Sequence, residues 1–230
     1  LLPLKDALKN IHFPVNGNLL AQAQARLKFE ELFYLQLSLL KQKSVRMRKD
    51  GGIVMPKIGD SFNKCYNSLP FPLTGAQKRV IKEIFADVKS GKQMNRLLQG
   101  DVGSGKTLVA LLSSLIAVDN GYQACIMAPT EVLAQQHYKG ISRLLSNTGV
   151  SVSLLTGSTK AKERKELMPK LLNGEIKILI GTHALIEQNV EFQNLAFAVI
   201  DEQHRFGVEQ RSKLWTKSNT PPHILVMPAT

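Results

Sequence analysis

A glycine-rich stretch near the middle of the chain has the residue types and spacing of a phosphate-binding loop. Between Leu97 and Leu111 the sequence reads "LLQGDVGSGKTLVAL", which contains the pattern G-x-x-x-x-G-K-T. Glycines let backbone N–H groups turn towards phosphate oxygens, the lysine reaches the β- and γ-phosphates, and the threonine hydroxyl binds Mg²⁺. The predicted nucleotide contacts are Gly100, Gly103, Ser104, Gly105, Lys106 and Thr107.

A second chemical feature is an acidic pair that ends a later apolar run. In "LAFAVIDEQH" the apolar residues stop at Asp201 and Glu202, so both carboxylates follow a predicted strand. Ligands of parallel sheets bind at the carboxyl ends of the strands. We expect Asp201 to hold Mg²⁺ with Thr107, through water, and Glu202 to orient and polarise the attacking water. With Lys106, these residues predict nucleotide hydrolysis.

The base of the nucleotide is predicted to be adenine. A GTPase usually carries N-K-x-D after a later strand, whereas the Asn-Lys pair here, Asn63 and Lys64, lies upstream and lacks the aspartate. Gln77 precedes the glycine-rich loop, and its amide can both donate to and accept from the edge of adenine. ATP is therefore the expected nucleotide.

The elements that must position these residues begin at about residue 75, where short apolar runs alternate with helical stretches. This pattern predicts an α/β domain with a mostly parallel sheet covered by helices on both faces. The predicted strands are 96–99, 124–128, 150–155, 176–180, 196–200 and 224–227. The predicted helices after the first four strands are 106–118, 131–145, 160–173 and 183–188.

The N-terminal part predicts a helical linker or extension over residues 1–68, followed by the α/β domain over residues 69–230. Asn18 could cap a helix whose apolar stripe includes Phe29, Phe33, Leu37 and Leu40, and we expect that stripe to pack on a neighbouring domain. Residues 41–49 contain five basic side chains, which fit either a solvated linker or contact with a phosphate backbone.

Composition narrows the class of partner. The net charge of +12 favours a polyanion, most simply nucleic acid. Cys65 and Cys125 form no C-x-x-C pair, so neither a zinc site nor a disulfide framework is indicated and a reducing cytoplasm fits.

The most apolar helical run, residues 19–40, contains four charged side chains, and no signal peptide is visible, so no membrane location is expected. The chain begins without Met and ends at "MPAT", and we expect both ends to be cuts in a longer protein.

Several motifs together resemble the motors of superfamily 2 helicases, which contain RecA-like P-loop domains. They are "FPLTGAQ", "APTEVLAQQ", "DEQH" and "PAT". Longer segments, "LPFPLTGAQKRVIKEI", "IGTHALIE" and "IDEQHRFGVEQR", resemble the RecG family of bacterial branched-DNA helicases. The upstream "LKFEELFYLQL" is similar to the helix that joins the DNA-binding wedge domain of that family to its motor, so the resemblance covers almost the whole chain.

The resemblance implies further residue roles. Phe71 would lie with Gln77 near adenine, and His204 would link the hydrolysis site to the last motif. Residues that follow the acidic motif could relay its state or contact DNA. The implied DNA-side residues are Pro129, Thr130, Glu131, Gly157, Thr182, His183, Arg205, Gln210 and Arg211.

The resemblance also implies a partner and an activity. The expected partner is branched or double-stranded DNA, and the expected motor is a monomer with a second RecA-like domain that supplies arginines to the γ-phosphate. Without that domain and the wedge domain, this chain is expected to bind ATP·Mg²⁺ weakly and to hydrolyse it barely. One departure is Pro228 in "MPAT", where such helicases usually have Ser or Thr, so the usual side-chain hydrogen bond towards the acidic motif cannot form.

Two other functions stay open. The transcription-repair coupling translocase shares segments like "DVGSGKT" and "RFGV", although the helix around residues 27–37 and the Gln at 203 favour the RecG family. A small-molecule kinase or nucleotide-dependent regulator would also use a P-loop, but lid arginines and a substrate-binding insertion are not apparent.

Overall fold

The structure is a computed structural model that describes residues 1–49, 51–202, 214, 217, 218 and 220–228, without the side chains of residues 42–49. The chain divides into two compact units, Leu1–Lys49 and Asp50–Thr230. The boundary predicted from the sequence lies at residue 68, whereas the structure divides the chain after Lys49.

Two helices form the first unit, α1 (Leu4–His12) and α2 (Gly17–Lys49). Asn16 caps α2, because its Oδ1 accepts a hydrogen bond of 2.9 Å from the backbone N–H of Leu19. The prediction that Asn18 is the cap is wrong, since Asn18 lies inside the helix. The adjacent residues Asn16 and Gly17 thus supply the cap and the first helical residue.

The apolar stripe predicted on α2 is about half exposed. Phe29 and Phe33 are each 49% exposed, and their rings stack with centroids 5.8 Å apart. Packing of this stripe on a neighbouring domain stays a prediction. In the part of the chain that the structure describes, no helix is both long and apolar enough to cross a membrane.

The second unit is built on one sheet. Its six described strands lie in the order β1-β6-β5-β2-β4-β3, and every neighbouring pair is parallel. The predicted α/β fold with a parallel sheet is therefore confirmed. The strands are β1 Asn95–Leu97, β2 Gln123–Met127, β3 Val152–Leu155, β4 Ile178–Gly181, β5 Leu195–Asp201 and β6 His223–Met227. The helices are α3 Asp60–Asn67, α4 Gly75–Lys89, α5 Lys106–Asp119, α6 Glu131–Leu144, α7 Ala161–Leu172 and the 3₁₀ helix His183–Ile186.

Helix α5 lies in the core of this unit, and all its side chains over residues 108–117 are buried. Its sequence is apolar on every face, which is typical of a helix enclosed by other elements. The two serines within it donate to the carbonyls one turn earlier, Ser113 to Val109 and Ser114 to Ala110, both at 2.8 Å. These bonds satisfy the buried hydroxyls, so the two serines can lie in the core of this unit.

Residues 51–68, predicted as linker, belong to the core of the second unit. Met55 is fully buried, and α3 begins next to the carboxylate of Asp119 at the end of α5. That carboxylate accepts hydrogen bonds of 2.9–3.0 Å from the N–H groups of Gly59, Ser61 and Phe62. Because an acidic side chain distant in sequence caps α3, the local sequence alone reads as a Gly- and Pro-containing linker.

His223 joins three segments at the start of β6. It is fully buried, its Nδ1 accepts the N–H of Met94 at 2.9 Å, and its Nε2–H donates to the carbonyl of Ile53 at 2.6 Å. This arrangement requires the neutral ring, because a protonated ring has no acceptor for Met94. Burial lowers the pKa of His223 below its usual range.

We predict that the free energy of unfolding falls as the pH drops below about 6.5, the ordinary pKa of histidine. In that window the unfolded chain binds a proton that folded His223 does not, so one such group contributes at most ~1.4 kcal/mol per pH unit. Urea unfolding between pH 7.5 and 5 measures the slope. It should be shallower in His223→Gln, and an unchanged slope in that variant would contradict the assignment.

We also predict that Asp119→Ala lowers the free energy of unfolding by about 1–2 kcal/mol, because α3 loses its capping carboxylate. Glu166→Ala, which removes an exposed carboxylate from α7, is the matched control and should change stability by less than about 0.5 kcal/mol. Thermal unfolding of both variants gives the comparison, and equal stability of the two would rule out the cap.

Candidate functional site

The predicted site residues gather at the carboxyl edge of the sheet. The glycine-rich loop follows β1 and Asp201 ends β5, while Thr130, Gly157 and Thr182 follow β2, β3 and β4. Because the strands are parallel, these segments emerge at the same edge. In strand order, the glycine-rich loop follows β1 and Asp201 ends β5. The predicted DNA residues follow β2, β4 and β3, and β5 and β2 are neighbours.

The glycine-rich loop turns tightly into α5. Gly103 and Gly105 have φ values of 81° and 80°, a region that favours glycine. The Lys106 ammonium donates to the carbonyl of Gly100 and to that of Asp101 at 3.1 Å, so it is held over the loop. A lysine at the N-terminus of a long helix, beside a turn of left-handed glycines, is a site for phosphate.

Gln77 is tied to this loop from α4. Its Nε2 donates to the carbonyl of Ser104 at 2.9 Å, and its Oε1 accepts the N–H of Thr74 at 2.9 Å as half of a capping box. Each amide atom keeps one more hydrogen-bonding position, so recognition of adenine is compatible with these bonds and stays a prediction. Phe71 is 56% exposed, which leaves most of its ring available for stacking on a base.

Asp201 accepts two hydrogen bonds at the end of β5. His137, on α6, donates from Nε2 to Asp201 Oδ2 at 2.8 Å, and the N–H of Glu202 donates to Oδ1 at 3.1 Å. The side chains of His137 and Asp201 are largely buried. Carboxylate and hydroxyl oxygens are the ligands that Mg²⁺ prefers, so Asp201 and Thr107 are chemically suited to that ion.

Glu202 adopts an unusual backbone conformation for a non-glycine residue, with φ at 49°. Its N–H donates to the carbonyl of Met227 at 2.7 Å, which connects β6 to the acidic pair. Met227 directly precedes Pro228 in the last motif. A backbone hydrogen bond therefore links the two motifs, although Pro228 has no hydroxyl to form a side-chain bond.

On the predicted DNA side, Glu131 organises the loop after β3. Its carboxylate accepts the N–H of Ser158 at 3.0 Å and the Ser158 hydroxyl at 2.6 Å, which lowers the pKa of Glu131. Thr130 caps α6 by accepting the N–H of Leu133 at 3.3 Å. A Cβ on Gly157 would lie 3.2 Å from Glu131 Oε1, so glycine allows the close approach of this loop to α6.

Thr182 lies beside that loop at the end of β4. Its N–H donates to the carbonyl of Leu155 at 3.3 Å, and the residue is 2% exposed. Among the described residues, its hydroxyl has no hydrogen-bond partner. His183 begins the 3₁₀ helix, and its charge interaction with Glu131 helps to lower the pKa of that carboxyl.

Some predicted residues lie outside the described part of the chain, namely His204, Arg205, Gln210 and Arg211. Conversely, sequence reasoning missed His137 and Ser158. The "LTGS" motif offered a signal for Ser158, since the serine directly follows Gly157. His137 had no such signal, because only the adjacency of β2 and β5 brings α6 to Asp201.

Comparison with known proteins gives the family. Residues 74–230 match the DEAD/DEAH box helicase family, which is more than half of the chain. The chain belongs to the DEAD/DEAH box helicases. Two curated relatives of this helicase chain, each named ATP-dependent DNA helicase RecG, are 48% identical to it: one from Synechocystis over 100% of the chain and one from Bacillus subtilis over 98%. The resemblance to the RecG family is thus confirmed, and the chain spans 28% and 33% of the length of these relatives.

Solved structures agree with this assignment. A structure of RecG bound to a three-way DNA junction matches with a TM-score of 0.86 and 45% identity, over 100% of this helicase chain and 31% of the other. A structure of Saccharomyces cerevisiae Dbp5 matches with a TM-score of 0.59 and 18% identity, over 76% and 47% of the two chains. The second match supports the RecA-like fold alone.

The loop geometry predicts opposite effects of alanine at two glycines. Gly105→Ala should lower the free energy of unfolding by about 1–2 kcal/mol, because φ is 80° there and the new Cβ would lie 2.4 Å from Gln77 Nε2. Gly140→Ala, in open space on α6, should raise it by about 0.5–1 kcal/mol. Urea unfolding compares them, and equal stability of Gly105→Ala and wild type would disprove the tight loop.

Proposed function

We propose that this chain is the ATP-binding motor domain of a RecG-like DNA helicase, which remodels branched DNA such as stalled forks and Holliday junctions in recombination and repair. In this proposal the first unit and the residues up to 68 act as the extension towards a wedge domain. A second RecA-like domain completes the ATP site, and the whole motor works as a monomer in the cytoplasm. The similarity to proteins named RecG supports this function.

One observation carries the proposal. The phosphate loop follows β1 and Asp201 ends β5, while a second group of polar residues, Glu131, Ser158 and Thr182, lies at the same edge after β2, β3 and β4. Binding a nucleotide accounts for the first group only. The second group and the net charge of +12 fit a nucleic-acid backbone, which serine, threonine and backbone N–H groups contact in many complexes.

The nucleotide chemistry follows from the first group. ATP phosphates would lie on the N–H groups of residues 100–107, with Lys106 neutralising the β- and γ-phosphates. Thr107 and Asp201 would hold Mg²⁺, which supplies further charge neutralisation when bound. Glu202, the next residue after Asp201, would orient the attacking water. The roles of Gln77 and Phe71 in adenine binding complete this assignment.

DNA contact is proposed for the second group. Because both carboxylate oxygens of Glu131 already accept hydrogen bonds from Ser158, we assign Glu131 to holding this loop and not to repelling phosphate. Ser158 and the start of α6 would then face the backbone together, whereas the side chain of Thr182 is buried beside them. Neither a kinase nor a nucleotide-dependent regulator would need this surface, and no observation favours a transcription-repair coupling translocase.

The proposal predicts that the 230-residue chain binds ATP in the presence of Mg²⁺ and also binds a three-way DNA junction. Lys106→Ala should weaken ATP binding by about 10–100-fold, because a charge-assisted bond to phosphate contributes about 1.5–3 kcal/mol. Its affinity for the junction should stay within about twofold, because Lys106 lies in the nucleotide group. Calorimetry with ATP and fluorescence anisotropy with labelled junction DNA measure the two affinities.

Lys64→Ala removes one exposed positive charge on α3 and serves as the matched control for both measurements. Equal ATP affinity of wild type and Lys106→Ala would reject the nucleotide assignment. Failure of the wild-type chain to bind the junction at low salt, where phosphate contacts are strongest, would reject the DNA assignment.

A further inference from the structure

The contact between His137 and Asp201 connects two elements that are distant in sequence. The Nε2–Oδ2 distance is 2.8 Å, and the two side chains are 12% and 15% exposed. A carboxylate only accepts hydrogen bonds, so His137 contributes an Nε2–H donor. The geometry is that of a direct hydrogen bond partly shielded from water, where such bonds are stronger than at the surface.

We propose that His137 is a positioning residue, which fixes the carboxylate of Asp201 in the orientation that Mg²⁺ with ATP requires. This inference rests on the proposed function, because it presumes that Asp201 and Thr107 hold the ion. His137 itself touches neither ion nor nucleotide in this assignment. Its effect on binding passes through Asp201.

The hydrogen bonds of Asp201 explain why such a residue is needed. An aspartate at a strand end can rotate about its side-chain bonds, and a rotated carboxylate presents different lone pairs to a metal-bound water. The N–H of Glu202 also donates to the carbonyl of Met227 at 2.7 Å, and its contact with Oδ1 is longer, at 3.1 Å. The bond from His137 to Oδ2, at 2.8 Å, is therefore the shorter of the two that hold the carboxylate. Each oxygen keeps a lone pair for another ligand. Outer partners of this kind orient metal ligands in many proteins.

A purely structural role for His137 makes a different prediction. If the bond only packs α6 against β5, its loss should lower the stability of the fold and reduce ATP binding to the same degree with and without Mg²⁺. A positioning role should leave binding of Mg²⁺-free ATP nearly unchanged and raise the Mg²⁺ concentration needed for tight binding. The two roles therefore differ in the Mg²⁺ dependence of ATP binding, which can be measured without ATP turnover.

The test uses two substitutions at His137 in the 230-residue chain. His137→Leu keeps most of the volume and removes the donor, whereas His137→Gln places an amide N–H near the position of Nε2. Gln135→Leu, at an exposed position on the same helix, is the matched control. ATP binding is measured by calorimetry in EDTA and across a titration of MgCl₂, and urea unfolding of each variant reports the fold.

We expect the half-saturating Mg²⁺ concentration to rise on the order of tenfold in His137→Leu, as is typical when an outer partner of a metal ligand is removed. Affinity for ATP in EDTA should stay within about twofold, and His137→Gln should recover most of the Mg²⁺ response. A Mg²⁺ response of His137→Leu equal to that of Gln135→Leu would overturn the inference. Equal losses with and without Mg²⁺ would overturn it too. If His137→Leu does not fold, His137→Phe takes its place as the variant without a donor, and equal half-saturating Mg²⁺ concentrations for His137→Phe and His137→Gln would overturn the inference.

The wild-type chain separates this inference from the proposed function. If wild type binds ATP more tightly in the presence of Mg²⁺ and the variants show the same Mg²⁺ response, the proposed function stands and His137 has no part in it. Wild type that does not bind ATP under either condition removes both the proposed function and the inference.

Discussion

Parallel pairing of the strands is the constraint on which the arrangement of this molecule depends. A parallel sheet must return each chain segment through a crossover, and here helices α5, α6 and α7 make the crossovers after β1, β2 and β3. Every strand therefore delivers its next residues to one edge. Five segments that are up to about 100 residues apart in sequence lie together at this edge because the parallel strands all end there. The buried core of α5 and the sheet fixes this edge, and short polar turns supply the chemistry.

The division of that edge into two halves also follows from strand order. The glycine-rich loop and Asp201 belong to strands on either side of β6, whereas the predicted DNA residues follow β2, β4 and β3. The boundary between the halves falls between β5 and β2, and the hydrogen bond from His137 to Asp201 crosses that boundary. Helix α6 therefore belongs to both halves: Thr130 caps it, its first turn carries Glu131, and its second turn carries His137.

Local patterns were sufficient for some of these features and not for others. Six apolar runs predicted six strands, because a strand buried on both faces has a sequence signature of its own. The glycine-rich loop was predictable because one short segment contains the whole phosphate-binding motif. Residues 51–68 were predicted as linker, since the carboxylate that caps α3 is Asp119, more than 50 positions away. Asn16 and Asn18 were equally good caps by residue type, and backbone geometry decided between them. His137 needed knowledge of strand order, which residue periodicity does not contain.

The left-handed backbone at Glu202 has a consequence for the acidic pair. Consecutive residues of an extended strand point to opposite faces of the sheet, so a straight continuation of β5 would separate two neighbouring carboxylates by the thickness of the sheet. With φ at 49°, the chain leaves the extended conformation directly after Asp201, and this alternation ends. Such a conformation costs a non-glycine residue about 1–2 kcal/mol, which the hydrogen bonds of the Glu202 N–H help to offset. A locally unfavourable turn thus releases the second acid of the pair from the alternation that a strand imposes on its side chains.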